Sequence, residues 1–153
     1  MKIQSLDLEI MSDLLLTLQN SLTSPEVPVA AAVYSSDQKL ISKSTNQRET
    51  SSDPTAHAEI LALREAGLKN ENWNLENFTL YVTLEPCLMC AGAILQARIS
   101  RVVFGVFNPN TSESCLEILR NGNPGLEIVG GVNATECGLV LSQFFTQQRN
   151  PKR

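Results

Sequence analysis

The stretch Phe78-Thr79-Leu80-Tyr81-Val82-Thr83-Leu84-Glu85-Pro86-Cys87-Leu88-Met89-Cys90 decides the architecture. Its first seven residues are dominated by aromatic, β-branched and apolar side chains and read as a strand. Pro86 ends that strand and suits the first turn of a helix, expected to run to about Arg98. Arg101 to Val106 is then a further buried strand, so a helix lies between two apolar strands.

Outward from this unit, Leu6, Ile10, Leu14 and Leu18 stand four apart, an apolar stripe at helical spacing within 6–20. Pro25 and Pro28 bracket a turn. Val29–Tyr34 and Lys39–Ile41 read as strands joined by Ser-Ser-Asp, and the polar run 42–53 reads as an exposed loop. Asp53-Pro54-Thr55 is a start signal for a helix carrying Ile60, Leu61, Leu63 and Leu68 and stopping near Gly67. Leu126–Val129 reads as a short strand and Ala134–Gln148 as a closing helix with Leu139, Leu141, Phe144 and Phe145. Helices alternating with apolar strands predict an α/β sandwich, a sheet covered on both faces.

The chain's 153 residues suit a single domain spanning 1–153, with no repeat or linker to divide it. Apolar residues make up 42% and charged residues 18%, a globular mixture rather than a disordered one. No apolar run approaches the ~18 residues of a membrane span. The first ten residues carry acids within their apolar stretch and show no small-residue cleavage site, so a cytoplasmic, reducing location is expected. The net charge of −4 means that bulk charge does not attract nucleic acid, and a polyanionic partner requires local cations.

Four cysteines are too few for a disulfide framework. Cys87 and Cys90, three apart at a helix start, fall on one face within reach of a single ion. His57, the chain's one histidine, supplies a third ligand if the two helix starts converge. Three ligands leave a tetrahedral zinc one open position, the mark of a catalytic site. Glu59 stands two residues on, pointing away from the ligand direction yet near the ion, where its carboxylate can carry a proton. Taken singly, these residues have plainer readings: a redox pair or half a structural zinc site, a hydrogen-bonded histidine, a dipole-complementing acid. Together, His-x-Glu followed by Pro-Cys-x-x-Cys is the pattern of zinc-dependent nucleobase deaminases. Cys115 and Cys137 read as small buried hydrophobes, Met89 as packing and Trp73 as a loop cover.

Around these motifs the chain resembles the bacterial tRNA-specific adenosine deaminases. The likeness runs through Glu26-Val27-Pro28-Val29, Asp53-Pro54-Thr55-Ala56-His57-Ala58-Glu59-Ile60, Leu80 to Ala93, and Arg101-Val102-Val103-Phe104-Gly105. It implies a three-layer α/β/α sandwich of the cytidine deaminase type, with a central mixed sheet of about five strands. It also implies hydrolytic conversion of adenosine to inosine at the wobble position of a tRNA anticodon, by a homodimer without organic cofactor. One zinc per chain would be held by His57, Cys87 and Cys90, with Glu59 as proton shuttle. Asn46 matches the family residue that contacts the flipped nucleotide, and Asn108 stands where the family usually has Asp. Phe145 and Arg149 on the last helix, with Lys152, Arg153 and Arg48, are the expected RNA contacts. Because Asn108 lacks the acid's charge, weak activity on single-stranded DNA is expected as well. The departures are Gln47-Arg48 for Arg-Pro, Val29-Ala30-Ala31-Ala32 for Val-Gly-Ala-Val, and the whole segment after Gly105. A deaminase of a free guanine- or cytosine-type base or nucleoside, and a non-catalytic RNA-binding subunit, are the alternatives.

Overall fold

The computed structural model describes residues 2–19, 23–110 and 114–150. Among these residues, ten elements follow in chain order: α1 (Ser5–Thr17), β1 (Ala30–Tyr34), β2 (Leu40–Thr45), α2 (Ala58–Lys69), β3 (Thr79–Leu84), α3 (Leu88–Gln96), β4 (Arg101–Val106), α4 (Ser114–Gly122), β5 (Glu127–Val129) and α5 (Ala134–Arg149). The five strands form one sheet in the order β2-β1-β3-β4-β5. β1 is antiparallel to both of its neighbours, whereas β3, β4 and β5 run parallel. The sheet is therefore mixed, as expected.

Alternation along the strands sends residues to two cores. Val82, Val102 and Phe104 pack with Ala62, Ala66, Ala91, Ile94 and Leu119 from α2, α3 and α4. Tyr81, Val103 and Val129 pack with Ile10, Met11 and Leu14 of α1 and Cys137 of α5. Helices thus cover both faces and complete three layers. At the far end of the sheet from the carboxyl end of β3, Asp7 of α1 is fully buried. It accepts hydrogen bonds from Arg101 Nη1 (2.7 Å) and Nη2 (2.9 Å), Tyr81 Oη (3.1 Å) and the Gln4 amide (2.9 Å).

Several boundaries depart from the sequence reading. β2 continues through Thr45, where an exposed loop is expected from Ser42. It is an edge strand, so its outward side chains are polar and hide the pattern; Ser42 instead turns inward and donates to the Ala62 carbonyl at 2.6 Å. α4 is a helix that the reading lacks altogether; Cys115 and Leu119, four apart, are its buried residues. α2 begins at Ala58, because Asp53 Oδ1 accepts the Thr55 amide (2.8 Å) and hydroxyl (2.7 Å) and turns the chain first. α3 likewise begins at Leu88 and ends before Arg98, which has φ +63°. α1 ends at Thr17, and Asn20 lies outside the described residues.

Candidate active site

The sheet brings the two helix starts together. β1 runs antiparallel to β3 with Ala31 opposite Val82, so the amino end of β1 lies beside the carboxyl end of β3. The β2–α2 and β3–α3 connections both arrive there. His57 is the N-cap of α2 and Cys87 the N-cap of α3, each in extended conformation, while Cys90 lies in the first turn of α3. His57 Nδ1 stands 3.5 Å from both the Cys87 and the Cys90 Sγ, and the three ligand atoms all lie within 4.8 Å of one another.

This donor set fits zinc. With Zn–S of ~2.3 Å and Zn–N of ~2.0–2.1 Å, a tetrahedral centre has an N···S edge of ~3.6 Å, close to the observed separation. The thiols make the same point electrostatically. A hydrogen bond from Cys90, backbone amides at the start of α3 and His57 hold the Cys87 thiol down at about 5, against the opposing effect of burial. Cys90 is pushed up by its bond to Cys87, by burial and by the Glu59 carboxylate. Cys90 thus keeps its proton beside the Cys87 thiolate, and only a cation between the two sulfurs would hold both as buried thiolates.

Glu59 is buried in the first turn of α2. Burial pushes its carboxyl up to about 7, and the Cys87 thiolate adds to the rise, while Cys90 and His57 oppose it. Its carboxyl lies near Cys90 and lines the same cleft as His57 and Cys87, so it turns toward the ligands and not away from them. The reason is local: His57 lies outside the helix as a cap, so the helical angle between residues two apart does not separate them.

A cleft of about 150 Å³ opens over these groups, lined by Val27, Val29, Asn46, Arg48, Leu84, Glu85 and Asn108 besides His57, Glu59 and Cys87. Asn46 Nδ2 donates to the Val27 carbonyl (3.3 Å) and Asn46 Oδ1 accepts the Arg48 amide (3.4 Å). Asn108 Oδ1 accepts the Asn110 amide (3.0 Å). Phe145 and Arg149 lie on α5 and are not among the lining residues. Lys152 and Arg153 fall outside the described residues.

Two buried carboxylates that the sequence reading left without a role hold the cleft's loops. Glu26 Oε1 accepts the amides of Glu49 (2.6 Å) and Thr50 (3.3 Å), pinning the loop that carries Asn46 and Arg48. Glu85 Oε2 accepts the Asn108 amide at 2.9 Å. The available signal was an acid next to a turn proline in both Pro25-Glu26 and Glu85-Pro86. Cys115 and Cys137 are buried, as expected. Trp73 is exposed and lines a separate groove between α2 and α3.

Comparison with known proteins agrees with this geometry. Residues 4–106 match the model of the cytidine and deoxycytidylate deaminase zinc-binding region. The tRNA-specific adenosine deaminase of Haemophilus influenzae is 45% identical over 132 residues, covering 84% of this chain and 76% of that protein. That of Bacillus subtilis is 42% identical, covering 84% and 81%. A solved structure from studies of A-to-I editing by tRNA:A34 deaminases at the wobble position of transfer RNA superimposes with a TM-score of 0.75 at 32% identity, covering 87% of this chain and 99% of that one. A guanine deaminase from Nitrosomonas europaea has a TM-score of 0.78 over 94% of this chain and 87% of its own, and at 22% identity shares the fold. With the matched span enclosing His57, Glu59, Cys87 and Cys90 and the identities of these relatives, the chain belongs to the tRNA-specific adenosine deaminases, within the zinc-binding cytidine and deoxycytidylate deaminase family.

Proposed function

We propose that this protein hydrolyses adenosine to inosine, with release of ammonia, at the wobble position of a tRNA anticodon. The observation that carries the reading is Glu59, buried against a His57–Cys87–Cys90 cluster at the floor of a cleft lined by polar loop residues. His57, Cys87 and Cys90 would hold zinc, which would supply activation of water for attack on the purine amino carbon. Glu59 would take one proton from the attacking water and deliver it to the ring nitrogen, then take the second from the hydroxyl now on the purine carbon and pass it to the amine, which leaves as ammonia. Asn46, on the loop that Glu26 pins at Glu49 and Thr50, and Asn108, its amide held by Glu85, line the route of the flipped nucleotide and contact it. Phe145 and Arg149, outside the cleft, serve the longer RNA stem. Residence in the cytoplasm follows from the substrate.

A homodimer belongs to the same reading. The groove between α2 and α3, about 730 Å³, is lined by Ile60, Leu63 and Ala93 and flanked by the exposed Leu68 and Trp73. It suits a second copy of the chain, and sedimentation of a Leu68→Lys/Trp73→Ser variant as a monomer where the wild type is a dimer is the expected result.

The function is tested by incubating the zinc-loaded enzyme with unmodified tRNAs and reading A-to-G changes at the wobble position by sequencing. Editing there, without ammonia release from free adenosine, guanine or cytosine, supports the reading; ammonia from the small substrates with no tRNA editing overturns it.

A further inference from the structure

We propose that Phe107 is a stacking platform for a nucleobase adjacent to the target adenosine. The proposal rests on the tRNA reading above. Of the chain's eight aromatic residues, three are exposed: Trp73, Phe107 and Phe145. Trp73 belongs to the groove between α2 and α3, and Phe145 lies on α5 with its ring edge against Phe144. Phe107 alone among them adjoins a residue that lines the cleft, Asn108, whose amide is tied to Glu85.

The ring of Phe107 is half in water, at 53% exposure, yet it is held. It meets the buried Phe104 edge to face, with centroids 4.9 Å apart and planes at 87°. Its far edge sits over Gly130, where a Cβ would come within 2.9 Å of Phe107 Cζ and collide with Phe104 Cζ. Gly131, at φ +86°, continues the same flat seat. Two successive glycines thus leave room for an aromatic ring that the core does not cover.

A held, solvent-facing ring one residue along the chain from the cleft's lining suits one ligand chemistry in particular. Drawing one base into the cleft unstacks it from its neighbours and frees their π-faces. Proteins that bind single-stranded RNA take up such bases on aromatic rings. A ring already fixed loses little freedom when the base arrives. Stacking also needs no charge, which matters for a chain of net −4.

The test measures binding of the zinc-loaded enzyme to an anticodon stem-loop RNA. Phe107→Ala is expected to weaken binding and raise KM on the order of tenfold, with kcat at saturation and the salt slope of binding unchanged. Phe107→Tyr should restore both. Phe107→Leu, which keeps the apolar packing on Phe104 and Gly130 but has no π-face, should behave like Phe107→Ala with a wild-type melting temperature. Stem-loops abasic at either neighbour of the target adenosine locate the partner: one abasic site should cost wild type affinity and cost Phe107→Ala none. Equal affinity of Phe107→Leu and wild type for an RNA that wild type edits overturns the proposal, as does an abasic penalty that persists in Phe107→Ala. If wild type edits no stem-loop and no tRNA, the substrate reading itself fails and this inference falls with it.

Discussion

Removal of the Asp7 carboxylate should loosen α1 from the sheet and cost several kcal/mol without touching the chemistry. Asp7 is fully buried and receives four hydrogen bonds, two of them from one guanidinium. In Asp7→Ala, Arg101 keeps Glu127, whose carboxylate lies 3.1 Å from Nε and is partly exposed, and a 3.4 Å bond from Nη1 to Tyr81 Oη. Breaking one side of a buried pair costs ~3–5 kcal/mol, and the surviving partners point to the lower end, about 3 kcal/mol. At ~2–4 °C per kcal/mol for a domain of this size, the melting temperature should fall by roughly 6–12 °C. Burial opposes ionisation of Asp7, but the bonds from Arg101, Gln4 and Tyr81 outweigh it and hold the carboxyl below the ordinary range. A lowered folded pKa means that the pair stabilises fully above the unfolded value of ~3.9 and loses its effect as pH falls through the folded one. The gap between wild type and Asp7→Asn should therefore be constant from about pH 5 to 8 and close in acid. Urea unfolding of the zinc-loaded proteins across pH measures both, and turnover at 25 °C should be unchanged because the pair lies at the opposite end of the sheet from Glu59. A loss under about 1 kcal/mol at pH 7, or a gap that widens in acid, would refute this account.

Three further outcomes concern the site. Glu59→Gln should keep one zinc per chain and its fold, yet lose at least ~10²-fold in kcat, since it removes a proton carrier and no ligand; activity within tenfold of wild type would assign the proton transfer elsewhere. Cys90→Ser and His57→Ala should each lower bound zinc, by metal analysis, from about one per chain toward zero, and full occupancy in both would reassign the ligands. Wild type should deaminate adenine slowly in a single-stranded DNA copy of the anticodon loop, and Asn108→Asp should reduce that rate. Equal DNA rates, or none in wild type, would remove Asn108 from sugar discrimination.

Much of the chemistry was legible in the linear sequence. Cys87 and Cys90 share a helix start, and His57 and Glu59 share another, so each half of the site is a local pattern that needs no tertiary information. The apolar alternation of β3 and β4 and the stripe of α1 were legible for a similar reason: burial of one face imprints a period. An edge strand buries less and prints a fainter one, which is why β2 past Ile41 passed for a loop. Only the fold could decide what depends on distance in the chain. Asp7 meets Arg101 across 94 residues and Glu26 meets Glu49 across 23, and a single buried acid carries no period to mark its partner. The orientation of Glu59 toward Cys90, the seat of Phe107 on Phe104 and Gly130, and the absence of Phe145 and Arg149 from the cleft's lining were decided the same way. Sequence recorded which residue types the reaction needs; the antiparallel pairing of β1 with β3 and the shared end of α2 and α3 brought them within bonding distance, because side-chain chemistry is local in space and not in the chain.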